Sequence, residues 1–250
     1  MLLAPSKTMT MSRPLLRGVK VQQTHFYKDS AEIVATLRQA EDIVQLMHVS
    51  EAIAERVKQM YQDWGKETAP ALFAYIGDVY RWFFAETLSI DDITWANDHL
   101  FIMSGLYGAL RPLDLVSPYR LEMKSKLSVD GSKDLYGFWG DKISAYVSAD
   151  PDEIICNLSS DEYARVVTKY TNKRIVTPVF MDRKGDGSIG AVPIYSKMMR
   201  GVMARWIIDN RVDNPDDLEK FALQGYYYDE DSSKLNWPCF YRDIPRPIRF

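Results

Sequence analysis

His99-Leu-Phe-Ile-Met-Ser104-Gly-Leu-Tyr-Gly108-Ala-Leu-Arg111-Pro-Leu-Asp-Leu-Val-Ser-Pro118 is the stretch on which the fold turns. An apolar segment runs into Ser104, Gly105, Leu106, Tyr107 and Gly108, and a second apolar segment begins at once. Gly-apolar-X-Gly between two short helices is the layout of a helix-hairpin-helix element, whose glycines accept backbone angles that other residues resist. Bare amides at the start of the second helix can meet a phosphate. Arg111, one turn on, adds a charge-assisted contact. Such contacts hold a nucleic-acid backbone and carry no base sequence. A tight helix-to-helix turn with no ligand has the same spacing, because glycines punctuate many turns. On either reading Pro112 falls in the first turn of the second helix, where proline is tolerated, and Ser117-Pro118 ends that helix early.

Outward from this stretch the chain alternates helical and extended patterns. Ile33, Leu37, Ala40, Val44 and Met47 recur at steps of three and four, as one helix face requires, with Ser30 as N-cap. Ser50 caps a second helix carrying Ile53, Val57, Met60 and Trp64 in phase. Pro70 opens a short strand that Gly77 ends, and residues 78–88 and 92–103 read as two further helices. Residues 154–158 read as a buried strand. Two strands, 174–181 and 188–195, flank the turn Lys184-Gly-Asp-Gly187, and a helix covers 197–211. Asn214-Pro215 opens another helix, and aromatic strands at 226–228 and 240–242 close the pattern. The order predicts an α+β fold: one domain over residues 1–250, a mixed β-sheet surrounded by helices, and the helix-hairpin-helix element.

Composition narrows the function. At 250 residues, 46% hydrophobic and 26% charged, the chain is an ordinary globular one. Thirty-one basic against thirty-four acidic residues leave a net charge of −3, so any anion-binding surface must be a local patch. Cys156 and Cys239 form no CxxC pair, and His25, His48 and His99 are scattered. No cofactor and no metal site is expected. No apolar run reaches membrane-spanning length. A cytoplasmic monomer with reduced thiols is the expectation.

Other segments have paired readings. On the helix over 197–211, Met199, Val202, Met203, Trp206 and Ile207 share one face. Lys197, Arg200 and Arg211 fall opposite, either as a solvated back or as a cationic stripe. Ser159 and Glu162 match a capping box. Lys7 lies among hydroxyls in Ala4-Pro-Ser-Lys-Thr8 without Walker glycines. Asp229, Glu230 and Asp231 form an acidic turn that could also hold a hard cation such as iron.

The chain resembles the YaaA family, associated with peroxide stress. The resemblance is carried by Ala4-Pro-Ser-Lys-Thr8, Gly77-Asp-Val-Tyr80, Ser104-Gly-Leu-Tyr-Gly108 with Leu110-Arg-Pro-Leu-Asp-Leu115, and Pro118-Tyr-Arg-Leu-Glu-Met123. It continues through Lys133-Asp-Leu-Tyr136, Phe138-Trp-Gly-Asp141, Asn157-Leu158, Ser160-Asp-Glu-Tyr163, Pro178-Val-Phe180, Arg200-Gly201 and Asp229-Glu-Asp-Ser-Ser233. The terminal 244–250 has no counterpart. The resemblance implies double-stranded DNA binding through a helix-hairpin-helix and a positive cleft, limiting iron and peroxide damage. Carried over, the hairpin is Ser104 to Gly108 with Arg111, and Lys7, Arg120, Lys133, Lys197 and Arg200 are assigned to the cleft. An alternative reading is an enzyme acting on a nucleotide or phosphorylated substrate, motivated by Arg120 with Glu122, Lys133 with Asp141, and Asp161 with Glu162.

Overall fold

A computed structural model describes residues 1–13 and 18–243; the terminal 244–250 lies outside the described residues. Its centre is a five-stranded sheet in the order Gly108–Leu110, Phe101–Ser104, Leu2–Leu3, Ile154–Leu158, Arg174–Val176. All neighbours are parallel except the first pair. Leu2 and Leu3 are wholly buried, consistent with an interior parallel strand, which reads as an unbroken apolar run. The chain adds Phe101–Ser104 on one side of Leu2–Leu3 and Ile154–Leu158 on the other. Crossovers therefore diverge at the carboxyl end of the first strand, the usual place for a ligand crevice in such sheets.

The helix expected over 92–103 ends early. Ser89 and Asp92 form a capping box that starts the helix Ile90–His99, and the chain then becomes extended. Phe101–Ser104 turns through Gly105-Leu106-Tyr107 and returns as Gly108–Leu110, with Met103 opposite Ala109. The expected helix-hairpin-helix is thus a β-hairpin. A short apolar run suits a buried strand as well as a helix, and Gly108 takes the left-handed angle (φ 71°) that the turn requires. Pro112 sits in a turn ahead of the strand Asp114–Val116 rather than in a helix.

Two smaller sheets flank the first. Gln22–Gln23, Asp114–Val116 and Ala69–Pro70 form one; Ile189–Gly190, Val179–Arg183, Cys239–Arg242 and Tyr227–Tyr228 form the other. Across the second, Arg242 pairs with Asp182 at 2.6 Å, both almost inaccessible, and the Tyr226 hydroxyl donates to the same carboxylate. Buried side chains from all three sheets, among them Leu3, Val116 and Phe240, join one hydrophobic cluster.

The helical expectations shift locally. The first helix is Tyr27–Gln39, and Ser30 lies inside it, donating its hydroxyl to the Phe26 carbonyl. Ala40 breaks it, and Asp42 caps the separate helix Ile43–Met47. Residues 78–88 form only the short helix Asp78–Arg81 and the turn Ala85–Thr87. The last long helix starts at a first-turn proline and spans Pro193–Asn210. Gly201 on that helix lets it close on Asp78–Arg81, because a Cβ there would meet the Val79 carbonyl at 2.0 Å.

Candidate functional site

A cleft of about 560 Å³ opens at the carboxyl ends of Leu2–Leu3 and Ile154–Leu158, within the usual range for ligand sites. Four segments build it. The loop Ala4–Thr8 leaves the first strand and is fixed by the Tyr80 hydroxyl on the Ala4 carbonyl (2.8 Å) and the Ile76 amide on the Thr8 carbonyl (3.1 Å). Gly77 lets that loop come close, since a Cβ would stand 2.3 Å from Ser6 Oγ. The turn Gly77–Arg81, the loop Tyr119–Lys124 and the helix residues Lys197 and Arg200 complete the walls, with Ser160, Glu162 and Tyr163 below.

The charges fall into two sets. Lys7 pairs with Glu122, whose second oxygen lies 3.3 Å from the Lys124 ammonium; that ammonium is also 3.6 Å from Glu162. Burial raises the Glu122 carboxyl, but the two ammoniums outweigh it, and its pKa lies below the ordinary value. The Glu162 carboxylate also accepts the Lys124 amide, so it does not close the capping box expected with Ser159. Arg81, Arg120, Lys197 and Arg200 form the second set, and none of their side chains has a hydrogen bond or ion pair to another described residue. Burial pulls the Arg200 guanidinium below its ordinary pKa, with Asp161 opposing. A partly desolvated guanidinium with no ion-pair partner gains from an incoming anion. The lining holds six cations and three carboxylates, a local excess of three positive charges on a chain of net charge −3.

The hairpin lies behind this cleft rather than on a surface. Ser104, Gly105, Leu106, Tyr107 and Gly108 are all buried. The Leu106 and Tyr107 amides already bond to Ser104 Oγ (3.2 and 3.0 Å), so they are not free for a phosphate. A Cβ on Gly105 would stand 2.7 Å from the Leu121 carbonyl, and one on Gly108 would press on Phe26 and Trp139. Ser104 Oγ and Tyr75 each meet the Tyr119 hydroxyl (2.7 and 2.8 Å), and Tyr61 donates to the Arg120 carbonyl (2.7 Å). The hairpin assignment as a nucleic-acid contact is therefore corrected: its residues fix the backbone that presents Arg120, Glu122 and Lys124. Arg111 is committed elsewhere, stacked 3.7 Å over Phe101, paired with Asp150 at 2.9 Å and donating to the Asp98 carbonyl.

Of the residues assigned to the cleft, Lys7, Arg120, Lys197 and Arg200 converge there and Lys133 does not. Arg120 does not pair with Glu122, which takes Lys7 and Lys124 instead. Arg81 and Lys124 went unassigned, although each directly follows a quoted motif, Gly77–Tyr80 and Pro118–Met123. The acidic turn at Asp229 gathers no group of three His, Cys, Asp or Glu side chains, and none occurs elsewhere among the described residues. Cys156 is a poor thiolate source, since burial pushes its thiol up to about 11. Among the described residues no helix is long and apolar enough to cross a membrane.

Comparison with known proteins finds relatives over nearly the whole chain. The chain is 39% identical to a UPF0246 protein of Shewanella oneidensis, over 97% of this chain and 98% of that protein. It is 41% identical to a UPF0246 protein of Ralstonia nicotianae, over 92% and 94%. The family model described as peroxide stress protein YaaA matches residues 1–232, a span holding every segment of the cleft. With so much of its length matched, the chain belongs to the YaaA peroxide stress family.

Proposed function

We propose that the protein serves the peroxide stress response by binding double-stranded DNA through phosphates held in the cationic cleft. The observation that carries this reading is the group of four cations, Arg81, Arg120, Lys197 and Arg200, lining one concavity with no side-chain hydrogen bond or ion pair among the described residues. Burial withdraws water from the Arg200 guanidinium, and a bound phosphate compensates that loss with charge-assisted hydrogen bonds. Tyr80, Tyr119 and Tyr163 line the cleft but are at most 9% exposed, so no ring face is offered to a base. Contact then stops at the backbone, and binding is indifferent to sequence. Anisotropy titration of a short duplex tests this. Arg120→Ala with Arg200→Ala is expected to weaken binding at least about tenfold, and Lys133→Ala by less than about twofold. Equal losses from both variants would remove the cleft from the interaction.

Glu122 and Glu162 favour a second reading, an enzyme acting on a nucleotide or another phosphorylated substrate. Carboxylates set beside cations in a cleft can move protons as well as bind. Product formation from nucleotides or nicked DNA, lost in Glu122→Gln, would support it; no turnover across such a screen would end it.

A further inference from the structure

The cleft carries more than a bare phosphate needs. Its unpaired cations suit an anion, but Glu122 and Glu162 stand within reach of one ammonium, that of Lys124, at 3.3 and 3.6 Å. Two carboxylates repel a free phosphate. They are good partners for hydroxyl groups, which donate to a carboxylate without changing its charge. An acidic side chain plays that part toward a ribose hydroxyl in dinucleotide sites, which occupy the same end of a parallel sheet. The cleft's volume, about 560 Å³, suits one sugar-phosphate unit, and its buried tyrosines offer no platform for a base.

We propose that the cleft binds a ribose phosphate, with the phosphate on Arg81, Arg120, Lys197 and Arg200 and the vicinal hydroxyls on Glu122 and Glu162. The proposal rests on the cleft being a phosphate site and names the class of small ligand it prefers. Lys7 and Lys124 orient the two carboxylates as acceptors.

Calorimetric titration of the full chain with inorganic phosphate, ribose 5-phosphate, 2-deoxyribose 5-phosphate and adenosine monophosphate tests it. Ribose 5-phosphate is expected to bind about tenfold or more tightly than either inorganic phosphate or the deoxy sugar, with adenosine monophosphate close to ribose 5-phosphate. In Glu122→Ala the preference for ribose over deoxyribose is expected to shrink toward one, while inorganic phosphate binds more tightly. If that variant fails to fold, the four-ligand comparison on the parent decides alone. Equal affinity for all four ligands would overturn the ribose proposal and leave the phosphate reading intact. Binding of duplex DNA with none of the four would overturn it in favour of an extended backbone contact. No binding of any phosphate compound, duplex included, would overturn both.

Discussion

At Gly105 the Leu121 carbonyl would lie 2.7 Å from an added Cβ, and the Glu122 carbon and Met123 nitrogen at 3.1 and 3.2 Å. All three are backbone atoms and cannot swing aside as a side-chain tip can. Gly105→Ala should therefore cost about 1–3 kcal/mol of stability through overpacking. It should also weaken phosphate binding, because the displaced backbone carries Arg120 and Lys124. Urea unfolding and phosphate titration measure the two effects, and full affinity in a destabilised variant would separate the hairpin from the cleft. Asp114 gives a second test at this scale. Burial raises its carboxyl to about 6, although the Arg111 amide and Gln22 act the other way. The folded chain thus holds this proton more tightly than the unfolded chain, whose aspartates titrate near 3.9. Its contribution is complete below about pH 4 and is lost as pH rises through 6, amounting to about 3 kcal/mol at most. Asp114→Asn should flatten the stability change between pH 4 and 7, and an unchanged slope would contradict this.

Among the elements, the helix Pro193–Asn210 and the short helix Asp78–Arg81 depend most closely on each other. Gly201 permits their contact, and together they bring Lys197 and Arg200 to the same cleft as Arg81. Gly201→Ala should drive the helix off the Val79 carbonyl, losing at least about 2 kcal/mol and weakening phosphate binding. Gly185→Ala, in open space, should change stability by less than about 0.5 kcal/mol. Thermal unfolding of the two variants checks this, and equal midpoints would contradict the close approach. Elements such as these were unevenly legible in the sequence. The strand Ile154–Leu158 was, because β-branched residues bounded by polar ones suit few other structures. Phe101–Ser104 was not, because its three apolar residues, following an amphipathic helix, continue that helix's pattern until tertiary pairing draws them into a sheet. Ser30 and Ser159 satisfied capping patterns, yet their hydroxyls bond to the Phe26 and Ser160 carbonyls instead.

Over the whole molecule, opposite charges are segregated: a cleft with three excess cations on a chain of net charge −3. That contrast orients the protein toward an anion, with the remaining surface repelled. The cleft was partly legible because its walls are the quoted motifs around Lys7, Arg120 and Arg200, whose convergence no local pattern reveals. Arg111 was misplaced for the complementary reason: its neighbour in sequence, the glycine pair, points into the core, and its guanidinium follows Phe101 and Asp150. If four phosphates replace water around Arg81, Arg120, Lys197 and Arg200, log affinity for duplex DNA should fall against log salt with a slope of about −3.6. The decisive measurement is that slope in the parent and in a folded variant with all four changed to alanine. A slope collapsing toward zero in the variant is the expected result, and an undiminished slope would contradict phosphate binding in the cleft.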